Sequence, residues 1–343
     1  MSVSVLIKTL NEAENIAATI ESVLEAIGPD DEVIIADSGS RDGTVEIAAR
    51  YPVKVVQIGP GAVPSCGLGP QLGFQYSKGR YLCLMDGDMR LDPEFLGTAK
   101  AFLESHPQAA GVAGRVEEMN LDNLEFARRK SRDHQDYHAG AVDRLSGGGL
   151  YRRSAIEAAG HLSDRNLHGY EEFELAVRLR SQGFTLYRLD IPFVQHFGYR
   201  MNAYALLLRR WQSKYLRGIG EVLRAAWGKP HWFQVVREIR ELKLWAAVYA
   251  GLAGLVLTMV LVPDKLLALG LCLVAIAAAI GVMSFKHRSL SLGVYAVTVW
   301  VFVAAALPLG FFAPRRDPGE WIESRVVHEP SVSPHLETEQ SLP

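Results

Sequence analysis

The chain has 343 residues, a formal net charge of −2 and 49% hydrophobic residues, averages that conceal two unlike halves. Residues 1–200 mix charged, polar and apolar types over a length sufficient for one large core, whereas the three uncharged runs after residue 243 exceed what the rest of the chain could cover. Cys66, Cys83 and Cys272 show neither paired nor metal-type spacing, which argues against a disulfide scaffold and suits a reduced compartment.

The apolar, β-branched run VSVLI (3–7) predicts a first strand, and Ile16, Ile20, Val23 or Leu24, and Ile27 recur behind it at helical spacing. Asn11 with Glu14 three residues on predicts a capping box that starts the first helix at that turn. EVIIAD (32–37) predicts the second strand, DGTVEIAARY (42–51) the second helix, VKVVQI (53–58) the third strand and YLCLM (81–85) the fourth. Strands alternating with helices predict a parallel, doubly wound arrangement. Ligands of such sheets sit outside the carboxyl ends of the strands, so Thr9 to Glu12, Asp37 to Gly43 and Asp86 to Asp88 should face one crevice.

Asp86-Gly87-Asp88 offers carboxylates of the kind that hold Mg or Mn, whose remaining positions take substrate phosphates. The same tripeptide is also ordinary turn material. Asp37, at the end of the second strand, is suited to accept a hydrogen bond from a base or ribose, while Asp42-Gly43-Thr44 reads as a turn and helix cap. Glu171 and Glu172 precede an amphipathic helix in HGYEEFELAVRLRSQGF (168–184). Carboxylates there gain from the helix dipole; the functional alternative makes one of them a general base.

The clusters KTLNEAENI, ADSGSRDGT, LMDGDM, GGGLYRRSAIEAAG and GYEEFELAVRLRSQGF, in this order over residues 2–200, resemble a family 2 glycosyltransferase of the GT-A fold. The resemblance implies an α/β fold with a doubly wound mixed sheet whose Rossmann-like half binds the nucleotide. It also implies a nucleotide-sugar pocket involving Thr9, Glu12, Asp37 and Asp86, and a divalent metal, Mg or Mn, held by Asp88 with Asp86 and His196. Glu172, preceded by Glu171, falls at the position of the family's catalytic base. The chain departs from the pattern in three places. Gly69-Pro70-Gln71-Leu72-Gly73 stands where many members carry Ala-Arg-Asn-x-Gly, so the usual arginine is missing. Glu172 replaces a commoner aspartate, and Leu207 takes the glutamine position ahead of Arg210-Trp211, which implies single-sugar transfer rather than polymer extrusion.

Residues 201–243 interleave Arg and Lys with Leu, Trp, Tyr and Phe, a pattern of basic amphipathic helices lying at an anionic bilayer surface. Proximity to the apolar runs favours lipid headgroups over nucleic acid as the partner. The runs 244–262, 266–285 and 290–313 are each long enough to cross a bilayer. Lys and Arg before the first and KHR between the second and third place PDK outside by the positive-inside rule. Arg315 and Arg316 then fall on the wrong face if all three runs cross, which leaves two or three crossings open. Residues 314–343 predict a disordered polar tail.

No signal peptide is visible, so the expected protein is integral to the inner membrane, with its catalytic domain in the cytoplasm. Its expected partners are a nucleotide-sugar donor and a lipid or lipid-linked acceptor, with no nucleic acid. Two rivals keep the fold: a nucleotidyltransferase-like enzyme that releases pyrophosphate, and a non-catalytic membrane scaffold. The absence of Gly-x-Gly-x-x-Gly after the first strand argues against a dinucleotide enzyme.

Overall fold

A computed structural model describes residues 2–119, 138–198 and 201–330. Strand β1 (Val3–Thr9) sends Val3, Val5 and Ile7 to one face of the sheet and Leu6 to the other, the face that Lys8 shares by alternation. It is flanked by β2 (Glu32–Asp37) and then β3 (Lys54–Ile58) on one side and by β4 (Tyr81–Asp86) on the other, all parallel. The register sets Thr9 beside Asp37 and Lys8 beside Asp86, so the carboxyl ends of three strands meet at one rim.

Beyond β4 the sheet becomes mixed. The added strands are β5 (Met89–Leu91), β6 (Ala109–Glu118), β7 (Gly140–Val142), β8 (Gly149–Arg152) and β9 (Thr185–His196). β8 runs antiparallel to both β4 and β6, and β9 lies parallel to β6 but antiparallel to β5 and β7. The all-parallel arrangement predicted from strand–helix alternation thus holds for β1 to β4 only.

The covering helices are α1 (Ile16–Ala26), α2 (Thr44–Ala48), α3 (Leu68–Tyr76), α4 (Phe95–Ser105), α5 (Arg153–Ala158) and α6 (Glu171–Ser181). Ile20 of α1, Val45 of α2 and Phe95 of α4 pack on the Val5 face, while Leu72 of α3, Ile156 of α5 and Leu175 of α6 pack on the Leu6 face. The sheet is therefore doubly wound.

The capping box expected at Asn11 and Glu14 does not form. Helix α1 begins at Ile16, and Asn11 sits at φ 59° with its side-chain oxygen accepting from the Arg41 N–H at 2.9 Å. The N–H groups of Asn11, Glu12 and Ala13 donate to Ser40, Thr44 and Asp42 of the next βα loop. Acceptors about 30 residues away do the work assigned to a local box, and in doing so they lock two rim loops together.

The disordered tail is a second correction, for residues 314–330. After the apolar helices the chain returns to the α/β domain, buries Ile322 completely and adds β10 (Ser324–His328) antiparallel to β3. Gln75 brackets Ile322 with two backbone hydrogen bonds of 2.9 and 3.0 Å, and Trp321 packs on Tyr76. A short, charged strand carries little signal of its own, because its partner edge supplies the pairing. Residues 331–343 lie outside the described residues. Ile322→Ala should remove about 2–5 kcal/mol, the usual range for emptying a buried Ile site. Thermal unfolding of the purified protein checks this, since a disordered tail would leave Tm unchanged.

Residues 201–243 form α7 (Ala203–Gln212), a 3-10 turn at Tyr215–Arg217, α8 (Gly218–Ala226) and α9 (Trp232–Glu238). They are followed by α10 (Glu241–Leu261), α11 (Lys265–His287) and α12 (Leu290–Phe311), each long and apolar enough to cross a membrane. Phe173 and Val177 of α6, Val222 of α8, Val235 of α9, Trp245 of α10 and Val303 of α12 share one apolar cluster, which joins the α/β domain to the helical region.

Candidate active site

Strands β1, β2 and β4 end at a common rim, and the side chains there form linked groups. Asp37 is fully buried and accepts from the Thr9 hydroxyl at 3.1 Å, from the Gly39 and Ser40 N–H groups at 2.9 Å each, from the Ser40 hydroxyl and from Gln57 Nε2 at 2.9 Å. Arg325 of β10 donates to Gln57 Oε1 at 2.7 Å, so the returning C-terminal strand reaches this group. Both oxygens of Asp37 are engaged by the protein, which makes it the organiser of the 38–40 turn.

Gly87 brings the β4 turn onto the β1 turn. A Cβ there would lie 2.9 Å from Thr9 Cγ2 and 3.0 Å from Glu12 Cγ, so only glycine allows this close approach. Glu12 is buried beside it and accepts from Asn15 Nδ2 at 3.3 Å.

Asp88 faces His196, whose Nε2 lies 3.3 Å from Asp88 Oδ2 and whose Nδ1 lies 2.7 Å from Glu118 Oε2. The sheet creates this group by pairing His196 of β9 with Met89 of β5 and with Glu118 of β6. Burial opposes the charged imidazole, but the hydrogen bonds to Asp88 and Glu118 prevail and raise its pKa to about 10. Asp88 Oδ1 is buried without a hydrogen-bond partner, an arrangement that leaves one hard oxygen for a ligand. An oxygen and, after loss of its proton, an imidazole nitrogen suit a divalent cation that takes its other ligands from phosphate. Asp86 Oδ1 is paired with Lys8, and among the described residues no three His, Cys, Asp or Glu side chains already converge on one metal position.

Asp86 belongs to a second group built around Lys8. Lys8 Nζ lies 3.1 Å from Asp86 Oδ1 and 3.1 Å from Glu171 Oε1. Burial disfavours this ammonium, yet Asp86 and Glu171 hold its pKa well above the ordinary value. Gly69 makes room for it, since a Cβ at that position would meet Lys8 Cβ at 2.8 Å.

Glu171 and Glu172 open α6 directly after Tyr170, which adopts φ 67°. Glu172 Oε1 accepts from the Gly148 N–H at 2.8 Å. Gly148 has φ +95° and a Cβ there would overlap the Leu84 carbonyl, so the glycine run 147–149 is the device that delivers this N–H. Burial raises the Glu172 pKa to about 7, reinforced by Glu171 and Asp86 and moderated by Lys8. Lys8, Asp86, Tyr151, Glu171 and Glu172 line one cleft.

Residues 4–160 match the family described as glycosyl transferase family 2. That matched segment, residues 4–160, carries the family 2 glycosyltransferase pattern. Over 96 residues the chain is 33% identical to a cholesterol galactosyltransferase of Borreliella burgdorferi, a match spanning 27% of each protein. It is also 28% identical over 202 residues to the putative glycosyltransferase EpsE of Bacillus subtilis, covering 55% of this chain and 70% of that one. Among solved structures, the mannosyltransferase PcManGT from Pyrobaculum calidifontis, in complex with GDP-Man and Mn2+, superposes with a TM-score of 0.58 at 17% identity, over 90% of this chain and 87% of that one. The mixed sheet and its helices are thus a GT-A fold.

At the shared rim the structure joins Thr9 to Asp37, Asp88 to His196, and Asp86 to Glu171 through Lys8. Lys8, Glu118 and Gly148 are additions that sequence reasoning missed. A lysine closing the run VSVLI was the available signal for the first, whereas Glu118 and Gly148 become neighbours of the site only through strand pairing and a glycine turn. The segment Gly69 to Gly73 lies in α3, where Gln71 Oε1 braces the Leu162 and Ser163 N–H groups. Lys8, from β1, lines the cleft as a cation.

Proposed function

We propose that this protein is a metal-dependent, inverting glycosyltransferase. It would move a sugar from a nucleotide-sugar donor to a hydroxyl of a lipid or lipid-linked acceptor, at the cytoplasmic face of the inner membrane. The observation that carries the proposal is Glu172: a buried carboxylate, fixed by a backbone N–H, lining a cleft and poised to titrate at about 7.

In this reading the acceptor oxygen attacks the anomeric carbon while the bond from that carbon to the diphosphate breaks, and the acceptor proton passes to Glu172. The oxocarbenium-like charge of the transition state forms beside the carboxylates of the cleft. Asp88 and His196 would hold the metal, which when bound neutralises the departing nucleoside diphosphate. Asp86, tethered by Lys8, and the Thr9–Asp37 group with Glu12 are the candidate walls for the ribose and base. The sterol acceptor named for the Borreliella relative and the apolar helices of this chain support a lipid acceptor.

Lys8 supports the base electrostatically. Its removal takes away a positive charge that lowers the Glu172 pKa, so in Lys8→Met the acid limb of the kcat/KM profile should move above 7 and the rate at neutral pH should fall. Lys8→Arg should retain most of the limb's position. An unmoved limb in Lys8→Met would remove Lys8 from this role.

The deciding experiment incubates the purified protein with UDP-, GDP- and dTDP-sugars, Mg or Mn, and native lipid extract. Sugar-labelled lipid with release of nucleoside diphosphate is expected. Release of pyrophosphate would assign nucleotidyl transfer instead, and transfer to soluble acceptors alone would overturn the lipid acceptor.

A further inference from the structure

Both ends of the apolar region are fixed to the same catalytic domain. At its start, Glu238 of α9 pairs with Arg180 of α6 at 2.5 Å, and Ile239 is buried in the cluster shared with α6. At its end, Arg315 pairs with Asp164 and donates to the Glu221 carbonyl at 3.3 Å, the Arg316 N–H donates to Asn166 at 2.8 Å, and the chain continues into β10. A path that leaves a domain and returns to it crosses a bilayer an even number of times. Three crossings would strand β10 on the opposite face from β3.

The helix that fails to cross can be identified. Tyr295 near the start of α12 donates to the Ala203 carbonyl at 3.2 Å, Phe302 meets Trp211 at 5.4 Å, and Phe311 meets Trp227 at 5.6 Å. Between these contacts the backbones touch: a Cβ at Gly220 would overlap the Leu307 carbonyl, and one at Gly310 the Arg217 carbonyl. Helix α12 therefore follows α7, the 3-10 turn and α8 from its second turn to its last. That track carries Arg209, Arg210, Lys214, Arg217 and Arg224. A helix bound along it could span about 30 Å of hydrocarbon only by carrying these charges in as well, at high cost.

The distal part of α10 and α11 is different. Val260 and Leu266, near the tip, are 66% and 83% exposed, as lipid-facing side chains would be. The tip also satisfies its own backbone: Asp264 Oδ1 accepts from the Leu266 and Leu267 N–H groups at 2.9 and 3.1 Å, while Lys265 Nζ donates to the Met259 and Val262 carbonyls at 2.7 and 3.1 Å.

We infer that the α10–α11 hairpin alone crosses the bilayer, with Pro263 at its far tip, and that α12 lies at the membrane surface beneath the catalytic domain. This places Arg315 and Arg316 on the same face as Lys286, His287 and Arg288, removing the charge conflict of a three-span topology. The inference rests on the membrane anchoring of the proposed function and is independent of the reaction.

Its test is thiol accessibility in sealed inverted membrane vesicles, using the full chain with Cys66→Ser and one added cysteine: Glu104→Cys on α4, Pro263→Cys at the tip, or Asp317→Cys after α12. A membrane-impermeant maleimide should label the Glu104→Cys and Asp317→Cys proteins in intact vesicles, and Pro263→Cys only after permeabilisation. Asp317→Cys grouping with Pro263→Cys, opposite Glu104→Cys, would overturn the inference while leaving membrane spanning intact. Labelling of all three in intact vesicles would show no crossing at all and overturn both.

Discussion

Glu172→Gln should lower kcat by about 10²–10⁴-fold, the usual contribution of a positioned general base, with donor Kd unchanged. Glutamine keeps an oxygen for the Gly148 N–H, so the cleft wall survives while the proton acceptor is lost. The wild-type pH profile carries the same information. A glutamate at its reference pKa of about 4.3 would give a flat rate through neutrality, whereas Glu172, raised to about 7, is protonated and inactive below that value and gains activity as pH rises through it. Isothermal binding of the donor beside single-turnover transfer separates the two effects. A Glu172→Gln enzyme that transfers at the wild-type rate would exclude this residue as the base, and the same measurement on Glu171→Gln would then assign it to the neighbour.

Asp88→Ala should reduce metal-dependent transfer by at least about 10²-fold, comparable to losing one electrostatic stabiliser of a transition state, and should weaken Mn2+ binding measured by titration of the protein alone. The unpartnered, buried Asp88 Oδ1 is the reason. Glu118 holds His196 from behind at 2.7 Å, so Glu118→Gln should weaken metal affinity by about 10–100-fold, the range for outer partners of metal ligands. The sign of the pH effect follows from His196. With its pKa raised to about 10, the imidazole is protonated at neutral pH and must release that proton to bind a metal, so affinity should increase with pH. Mn2+ binding by Asp88→Ala equal to wild type would move the metal site elsewhere.

Much of the catalytic half was legible because its signals are local. Alternating β-branched strands and periodic helices place β1, β2 and β4 in parallel, and parallel strands bring Thr9, Asp37 and Asp86 to one rim wherever the rest of the chain goes. The three apolar helices are equally local, since length and lack of charge suffice to mark them. The first helix start is not legible locally for the opposite reason: Asn11 has the right neighbour in sequence at Glu14 but a better partner in space at Arg41.

The amino-acid sequence by itself determined the order of the elements, the carboxylates at the strand ends, the glutamate pair opening α6 and the apolar character of residues 244–313. Only the tertiary structure decided which of these groups share a charge. Lys8 reaches Glu171 across 163 positions of chain, and His196 meets Glu118 across 78, through side-chain contacts that no local period encodes. The same holds for the return of residues 314–328 to β3 and for the docking of α12 along α7 and α8. An edge strand and a uniformly apolar helix carry almost no directional signal of their own. Their positions are fixed by complementary surfaces elsewhere in the fold, and those surfaces exist only once the sheet has formed.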